Sequence, residues 1–374
     1  MAPRRSDPST GPARGMKRSA RMTIVDRIRS AIASWSPETP FDELARAAFA
    51  YQCERVEPIR RLAERERRTP ASVASWREVP LVPAQAFANL ALATDPPHET
   101  FRSSGTLGGA RSVHRHPFPD LYRAVVDATF PAACLRRGER PPMLALVPPR
   151  ALTADSSLGF LVDHVLARYG GPASAYGFGA RGVEIGVCRS WLAARQREGR
   201  PVLVLATAFA LADLVERLER MNLHFRLPAG SALFETGGFK GRTREMARDE
   251  LLARVATWLG IPPESAVSEY GMTELTSHAY TRRLAGGDPG LFVPPPWLRV
   301  RALEPLSLAE LPVGETGLLA CFDLANIGSA LHVLTEDLGR VEAGGFRLAG
   351  RAPDAELRGC SLLAEELGRG SPHD

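Results

Sequence analysis

The chain has 374 residues, of which 44% are hydrophobic and 24% charged, enough apolar content for one large packed domain or two smaller ones. Its formal charge of +5 resides in residues 1–22, where Arg4, Arg5, Arg14, Lys17, Arg18 and Arg21 face Asp7 alone; the remainder sums to zero, which excludes the global basic field of a nucleic-acid binder. No apolar run approaches the roughly 18 residues of a membrane span and no signal-peptide core follows the basic start, so a cytoplasmic protein without a membrane span is expected.

Residues 1–22, rich in Pro, Gly and Ser, read as a disordered tail. Their Arg-rich, acid-poor character fits a transit peptide, or a true start at Met16 or Met22, equally well. Thr39-Pro40 reads as an N-cap followed by proline in the first turn, opening a helical and strongly charged stretch to about Arg68. Cys53 falls in helical register with Leu44, Ala45, Ala48 and Phe49, as a buried small hydrophobe does. The five cysteines form no C-x-x-C pair, which argues against a zinc site or a disulfide framework.

Residues 143–147 and 202–206 are apolar runs too short for helices and predict strands buried on both faces. From Val202 onward the pattern alternates: strand, amphipathic helix over 211–221, strand over 232–234, helix over 244–259, strand over 266–268. This is a βαβαβ unit, and parallel sheets of this kind place ligands at the carboxyl ends of their strands. Thr236-Gly237-Gly238 and the 269–274 segment leave those ends. Beyond Pro294-Pro295-Pro296, short strands over 318–322 and 331–334 and a hairpin turning at Ala343-Gly344-Gly345 predict a β-rich cap or distorted barrel.

Two stretches carry the chemistry. In Ser103-Ser104-Gly105-Thr106-Leu107-Gly108, glycines let backbone N–H groups approach an anion and three hydroxyls donate hydrogen bonds, although a plain surface loop has the same composition. No Gly-Lys-Ser/Thr follows, which sets aside the common P-loop. In Tyr270-Gly271-Met272-Thr273-Glu274, Thr273 suits a phosphate and Glu274 offers a hard oxygen ligand to magnesium; a simple turn with a capping Thr fits too.

The pair, in this order, resembles the adenylate-forming superfamily, and most closely the LuxE-type acyl-protein synthetases, with a remoter similarity to phenylacetate-CoA ligases. The resemblance runs from about Trp76 to Leu363. It takes in Trp76-Arg77-Glu78-Val79-Pro80, Arg111, His114, Thr236-Gly237-Gly238-Phe239-Lys240-Gly241-Arg242, Phe322-Asp323-Leu324-Ala325-Asn326, Thr335-Glu336-Asp337-Leu338-Gly339 and Gly350-Arg351 leading to Cys360. It implies an α/β fold of the adenylate-forming N-terminal type, with parallel α/β sheets plus a β-rich distorted barrel and the large C-terminal domain missing. The domains expected are a tail over 1–22, an adenylating domain over 23–349 and a short remnant over 350–374 carrying Cys360.

By the same resemblance Ser103, Ser104, Gly105, Thr106 and Gly108 hold the ATP phosphates, while Gly237, Gly238, Glu269, Tyr270, Gly271 and Met272 line the adenine. Thr273 and Glu274 manage phosphate and Mg2+, Asp337 meets the ribose hydroxyls and Arg351 marks a hinge. The catalytic lysine of the larger relatives has no counterpart, and Ala110-Arg111 stands where the phosphate loop usually has a lysine. Lys240, one of two lysines beside 45 arginines, is the candidate for the missing charge, ahead of Arg111 and His114. Cys360 stands where the family's acyl-accepting cysteine does, and Arg351 and Arg358 favour its thiolate. The activity implied is ATP-dependent activation of a fatty or related carboxylic acid, with acyl transfer to Cys360 and on to an acyl-reductase or carrier partner. The alternatives are a ligase acting directly on coenzyme A or a carrier protein, and a nucleotide-binding scaffold without turnover.

Overall fold

The computed structural model describes residues 22–104, 111–237, 246–353 and Leu367. Helix α1 (Ile24–Ala33) opens the described chain; its N-cap Thr23 accepts the Asp26 N–H at 3.1 Å, and Val25, Ile28 and Ile32 face the core at helical spacing. The expected charged stretch is two helices, α2 (Phe41–Arg55) and α3 (Glu57–Arg65). Pro40 is itself the N-cap residue, and the Thr39 hydroxyl instead accepts the Ser36 N–H at 3.1 Å. The break falls at Val56, in extended conformation, because Pro58 has no N–H to continue the α2 ladder. Cys53 packs with Leu44, Ala45, Ala48 and Phe49 as expected.

The chain then forms β1 (Val82–Pro83), α4 (Ala86–Asn89) and a hairpin of β2 (Glu99–Arg102) with β3 (Val113–His116), followed by α5 (Pro119–Cys134). Next come β4 (Met143–Leu146), α6 (Ser157–Tyr169), the short strands β5 (Ala175–Tyr176), β6 (Phe178–Gly179) and β7 (Gly182–Val183), and α7 (Ile185–Glu198). The βαβαβ unit follows as β8 (Leu203–Thr207), α8 (Ala208–Arg220), β9 (Ala232–Thr236), α9 (Arg248–Leu259) and β10 (Ala266–Tyr270). Thr207 caps α8 by accepting the Ala210 N–H at 3.2 Å, which starts that helix before the apolar stripe. The antiparallel strands are β11 (Ala279–Thr281), β12 (Phe292–Val293), β13 (Leu298–Leu303), β14 (Thr316–Asp323), β15 (His332–Glu342) and β16 (Gly345–Arg351). Gly344 turns the β15–β16 hairpin at φ +83°, a conformation that favours glycine.

Among the described residues twelve of these strands form one sheet. Strands β5, β4, β8, β9 and β10 run parallel, and β11, β12, β16, β15, β14 and β13 continue it antiparallel, with β1 parallel to β15. The β-rich part is thus the other half of the parallel sheet. In the parallel half, Leu144, Leu146, Val204 and Leu233 pack under α7, α8 and α9, while Met143, Ala145, Leu205 and Phe234 pack under α5 and α6. Both faces are covered, which explains the unbroken apolar runs. The antiparallel half shares its core with α1, α2 and α3 through Phe41, Phe49, Trp76 and Phe322. No helix of the described residues is long and apolar enough to cross a membrane.

Candidate active site

Of the Ser103 stretch, Ser103 and Ser104 are described, and they follow β2, which pairs with β3. There the Ser103 N–H donates to the Ser112 carbonyl at 3.1 Å and the Ser112 N–H donates to the Ser103 hydroxyl at 3.0 Å. Arg111 also donates its Nε–H to the Ser103 carbonyl, and its guanidinium stands 3.5 Å from Asp155. The hairpin is therefore closed at its foot by the two serines, and Ser104 is exposed beyond it. Gly105, Thr106 and Gly108 lie outside the described residues, as do Gly238, Lys240 and Cys360.

The second stretch begins in β10. Tyr270, buried, donates its hydroxyl to Asp337 Oδ2 at 2.9 Å, and its ring meets Phe346 edge-on at 5.2 Å. Asp337 pairs across the sheet with Arg351, whose Nε lies 3.4 Å from Asp337 Oδ1 and whose second nitrogen donates to Glu336 at 2.7 Å. The Glu269 carboxylate turns beneath the strand end and accepts the Thr236 hydroxyl, which ties β9 to β10. A Cβ at Gly271 would run into that carboxylate and come within 2.8 Å of the His278 ring, so this position admits only glycine without rearrangement. Gly237 has φ +70°, again a conformation for glycine.

The two stretches are joined directly. His114, on β3 opposite Phe101, donates Nδ1–H to the Thr273 carbonyl at 2.7 Å; a carbonyl only accepts, which fixes the tautomer. Burial holds the His114 imidazole down to about 4, so at neutral pH it is uncharged and cannot supply the missing cation. That reassigns it from charge to positioning. These bonds connect the strand that leads to Gly237, the 269–274 turn, Asp337 and Arg351, and tie the turn through His114 to the β2–β3 pair that Ser103 and Ser104 follow. The Thr273 hydroxyl has no protein partner among the described residues.

Two residues that carried no role in the sequence hold the turn from below. Asp323, at the end of β14 and fully buried, accepts the N–H groups of Thr276 (3.0 Å), Ser277 (2.8 Å) and Ala325 (3.0 Å) and the Ser277 hydroxyl (2.7 Å). Asn326 donates to the carbonyls of Glu274 (2.8 Å) and Ala330 (2.7 Å), and accepts the Thr276 hydroxyl at 2.9 Å. Their only sequence signal was their place in a matched segment.

The Tyr-Gly-x-Thr-Glu turn thus stands at the carboxyl end of the parallel strand β10, bonded through Tyr270 to the Asp337/Arg351 pair. Residues 190–367 match the profile of the family Acyl-protein synthetase, LuxE. Over this stretch, just under half of the chain, the sequence is similar to that family. Among solved structures, 2-hydroxyisobutyryl-CoA ligase in an open conformation with 2-HIB-AMP and CoA superposes with a TM-score of 0.64 at 14% identity, covering 84% of this chain and 70% of that one. The same ligase in the postadenylation state with R3-HIB-AMP gives 0.63 at 13% identity, covering 89% and 74%. At these identities the likenesses show the fold alone, which is the one that these acyl-CoA ligases share. No curated protein matches the sequence.

Four buried histidines, His114, His116, His278 and His332, give the protein a distinctive acid response. Burial holds His278 at about 4, His332 at about 3 and His116 well below its ordinary value, as it does His114. Unfolded histidines titrate near 6.5. Above that pH both states are neutral and the stabilisation is complete; below it the unfolded chain takes up protons that the folded one refuses, until about pH 4. Asp323, pushed up by burial, opposes this by a single group. The unfolding free energy is expected to drop between pH 6.5 and 5 by at least two protons' worth, on the order of 3 kcal/mol per pH unit. Denaturant titrations across that range measure it, and a flat profile would show the histidines to be solvated.

Proposed function

We propose that the protein activates a carboxylic acid with ATP, releasing pyrophosphate and forming an acyl-AMP, and then transfers the acyl group to Cys360 for delivery to a partner protein. The reading rests above all on one observation: the hydrogen bond between His114 and the Thr273 carbonyl, 2.7 Å, sets the serine hairpin against the turn that carries Thr273 and Glu274. The LuxE match supports the acyl-protein branch, and a fatty or related acid is the corresponding substrate class.

A carboxylic acid is ionised at neutral pH, so its oxygen attacks the α-phosphorus without a general base while the bond to pyrophosphate breaks. The protein's task is to hold charge in line. In this scheme the hairpin's N–H and hydroxyl donors and the unclaimed Thr273 hydroxyl hold phosphate oxygens, and Lys240 adds a cation. Asp337 is suited to the ribose because its carboxylate has about four acceptor sites and Tyr270 and Arg351 occupy two, leaving two for vicinal hydroxyls. Gly237 and the 270–272 turn flank the base.

Among the described residues no three His, Cys, Asp or Glu side chains form a metal cage. One buried carboxylate, Glu274, beside a phosphate-binding threonine fits magnesium, which is ordinarily held by one or two carboxylates and substrate phosphates. When bound, the ion neutralises phosphate charge.

The test is exchange of labelled pyrophosphate into ATP, measured with acids of different chain length and ring content. Acid-dependent exchange is the expected result. ATP binding with no exchange for any acid would instead leave a nucleotide-binding scaffold. Coenzyme A is the competing acceptor, and its role is decided by the fate of Cys360, argued below.

A further inference from the structure

Away from the nucleotide site, on the side of the antiparallel half where α3 ends, a cavity of about 270 Å³ is lined by Arg68, Arg77 and Arg301 together with Glu66, Leu81 and Leu308. We propose that this cavity is a second ligand site, for the phosphate of a phosphomonoester or for free phosphate, held by the three guanidinium groups. The inference is independent of the adenylation reading.

Arg301 extends from β13 and is 9% exposed, so its charge is removed from water, which is costly unless compensated. Burial accordingly weakens its hold on its proton. One of its terminal nitrogens lies 3.3 Å from Glu310 Oε2, and the other donates to His332 Nε2 at 3.2 Å. His332 cannot compensate the charge: its Nδ1–H is given to the Val79 carbonyl at 2.8 Å, and burial keeps the ring neutral. The Arg301 Nε–H is buried with no hydrogen-bond partner among the described residues.

Glu310 is moreover shared. The same oxygen, Oε2, accepts Arg77 Nε at 3.2 Å. Arg68 stands 3.7 Å from Glu66, beyond hydrogen-bonding distance. Three guanidinium groups therefore face two carboxylates across one cavity, one carboxylate oxygen serving two of them. Arg77 and Arg301 also both lie against the Trp76 ring, at 4.7 and 5.5 Å from its centroid, so one aromatic side chain attracts two like charges. Such an arrangement is self-repelling when empty and relaxed by an anion.

The chemistry of the ligand follows from the donors. Three planar forks around one space offer more donors than the two oxygens of a carboxylate accept, and match the three terminal oxygens of a phosphomonoester, which carries close to two negative charges at neutral pH. The volume falls just under the ~300 Å³ at which small-ligand pockets begin, which suits a phosphate group rather than a whole nucleotide. Leu308, on the rim, has φ +56°, a strained conformation for a branched side chain that recurs at ligand clamps.

Isothermal titration of the full chain with inorganic phosphate at constant ionic strength tests this, against the double variant Arg68→Gln/Arg77→Gln. Both side chains are about half exposed, so the variant keeps the fold, and an unchanged thermal midpoint verifies it. Saturable binding in the wild type, weakened at least about tenfold in the variant, is the expected result. A parallel arm with adenosine 3′,5′-bisphosphate identifies the source: tighter binding that depends equally on the two arginines means a nucleotide-borne phosphate, and equal binding means the free ion. No saturable binding in the wild type, or the same binding in both proteins as phosphate at the nucleotide site alone would give, overturns the proposal.

Discussion

Replacing Asp323 by alanine is expected to abolish pyrophosphate exchange and to lower stability severely, although the residue is placed to touch neither ATP nor the acid. Its two oxygens accept three backbone N–H groups and one hydroxyl, all buried, and alanine would strand all four donors. At roughly 1–3 kcal/mol for each buried unsatisfied group the loss is on the order of 4 kcal/mol or more, a large part of the ~5–15 kcal/mol that holds a typical domain. Two of the stranded N–H groups belong to Thr276 and Ser277, directly after the turn carrying Thr273 and Glu274, so the site loosens together with the fold. Asp323→Asn separates the two effects. It keeps one acceptor oxygen and turns an NH2 toward donors at the other, so exchange should persist at a reduced rate with an intermediate thermal midpoint. Alanine leaving both midpoint and exchange at wild-type values would mean that the turn is held by something other than Asp323.

The same residue shows where sequence reading stops. Residues 143–147 and 202–206 were legible as doubly buried strands because backbone pairing in a covered sheet admits continuous apolar runs. Gly237, Gly271 and the Tyr-Gly-Met-Thr-Glu turn were legible because they demand particular residue types. Asp323 and Asn326 were not, since nothing in a sequence distinguishes a carboxylate that organises a buried turn from one facing water. His114 was misjudged for a related reason: its type suggested charge, and only its burial and its bond to the Thr273 carbonyl show it to be neutral. Helix α1 escaped because the basic tail drew the boundary at Met22 and the first recognised cap was Thr39, not Thr23. The single sheet uniting the two halves depends on pairings such as Phe292 with Phe346, separated by fifty-odd residues, which local pattern cannot reveal.

Four of the five cysteines, Cys53, Cys134, Cys188 and Cys321, are buried in the core. Burial pushes the Cys53 and Cys188 thiols up to about 12 and those of Cys134 and Cys321 well above their ordinary range. A thiol attacks an acyl-AMP as the thiolate, so at neutral pH these four are chemically silent. Cys360, outside the described residues, is thereby the one candidate left for a thioester. Cys360→Ser is expected to retain acid-dependent pyrophosphate exchange within about threefold while losing at least ~90% of the radiolabelled acyl chain that the wild-type protein retains after denaturation, because serine's hydroxyl is a far weaker nucleophile at its ordinary pKa. Sensitivity of the wild-type label to neutral hydroxylamine marks the thioester. Equal labelling of the variant would remove Cys360 from the pathway. Exchange without any protein label, but with acyl transfer on addition of coenzyme A, would place the chain with direct ligases. The first half of the reaction would then stand on Ser103, Thr273 and Asp337, and only its acceptor would be reassigned.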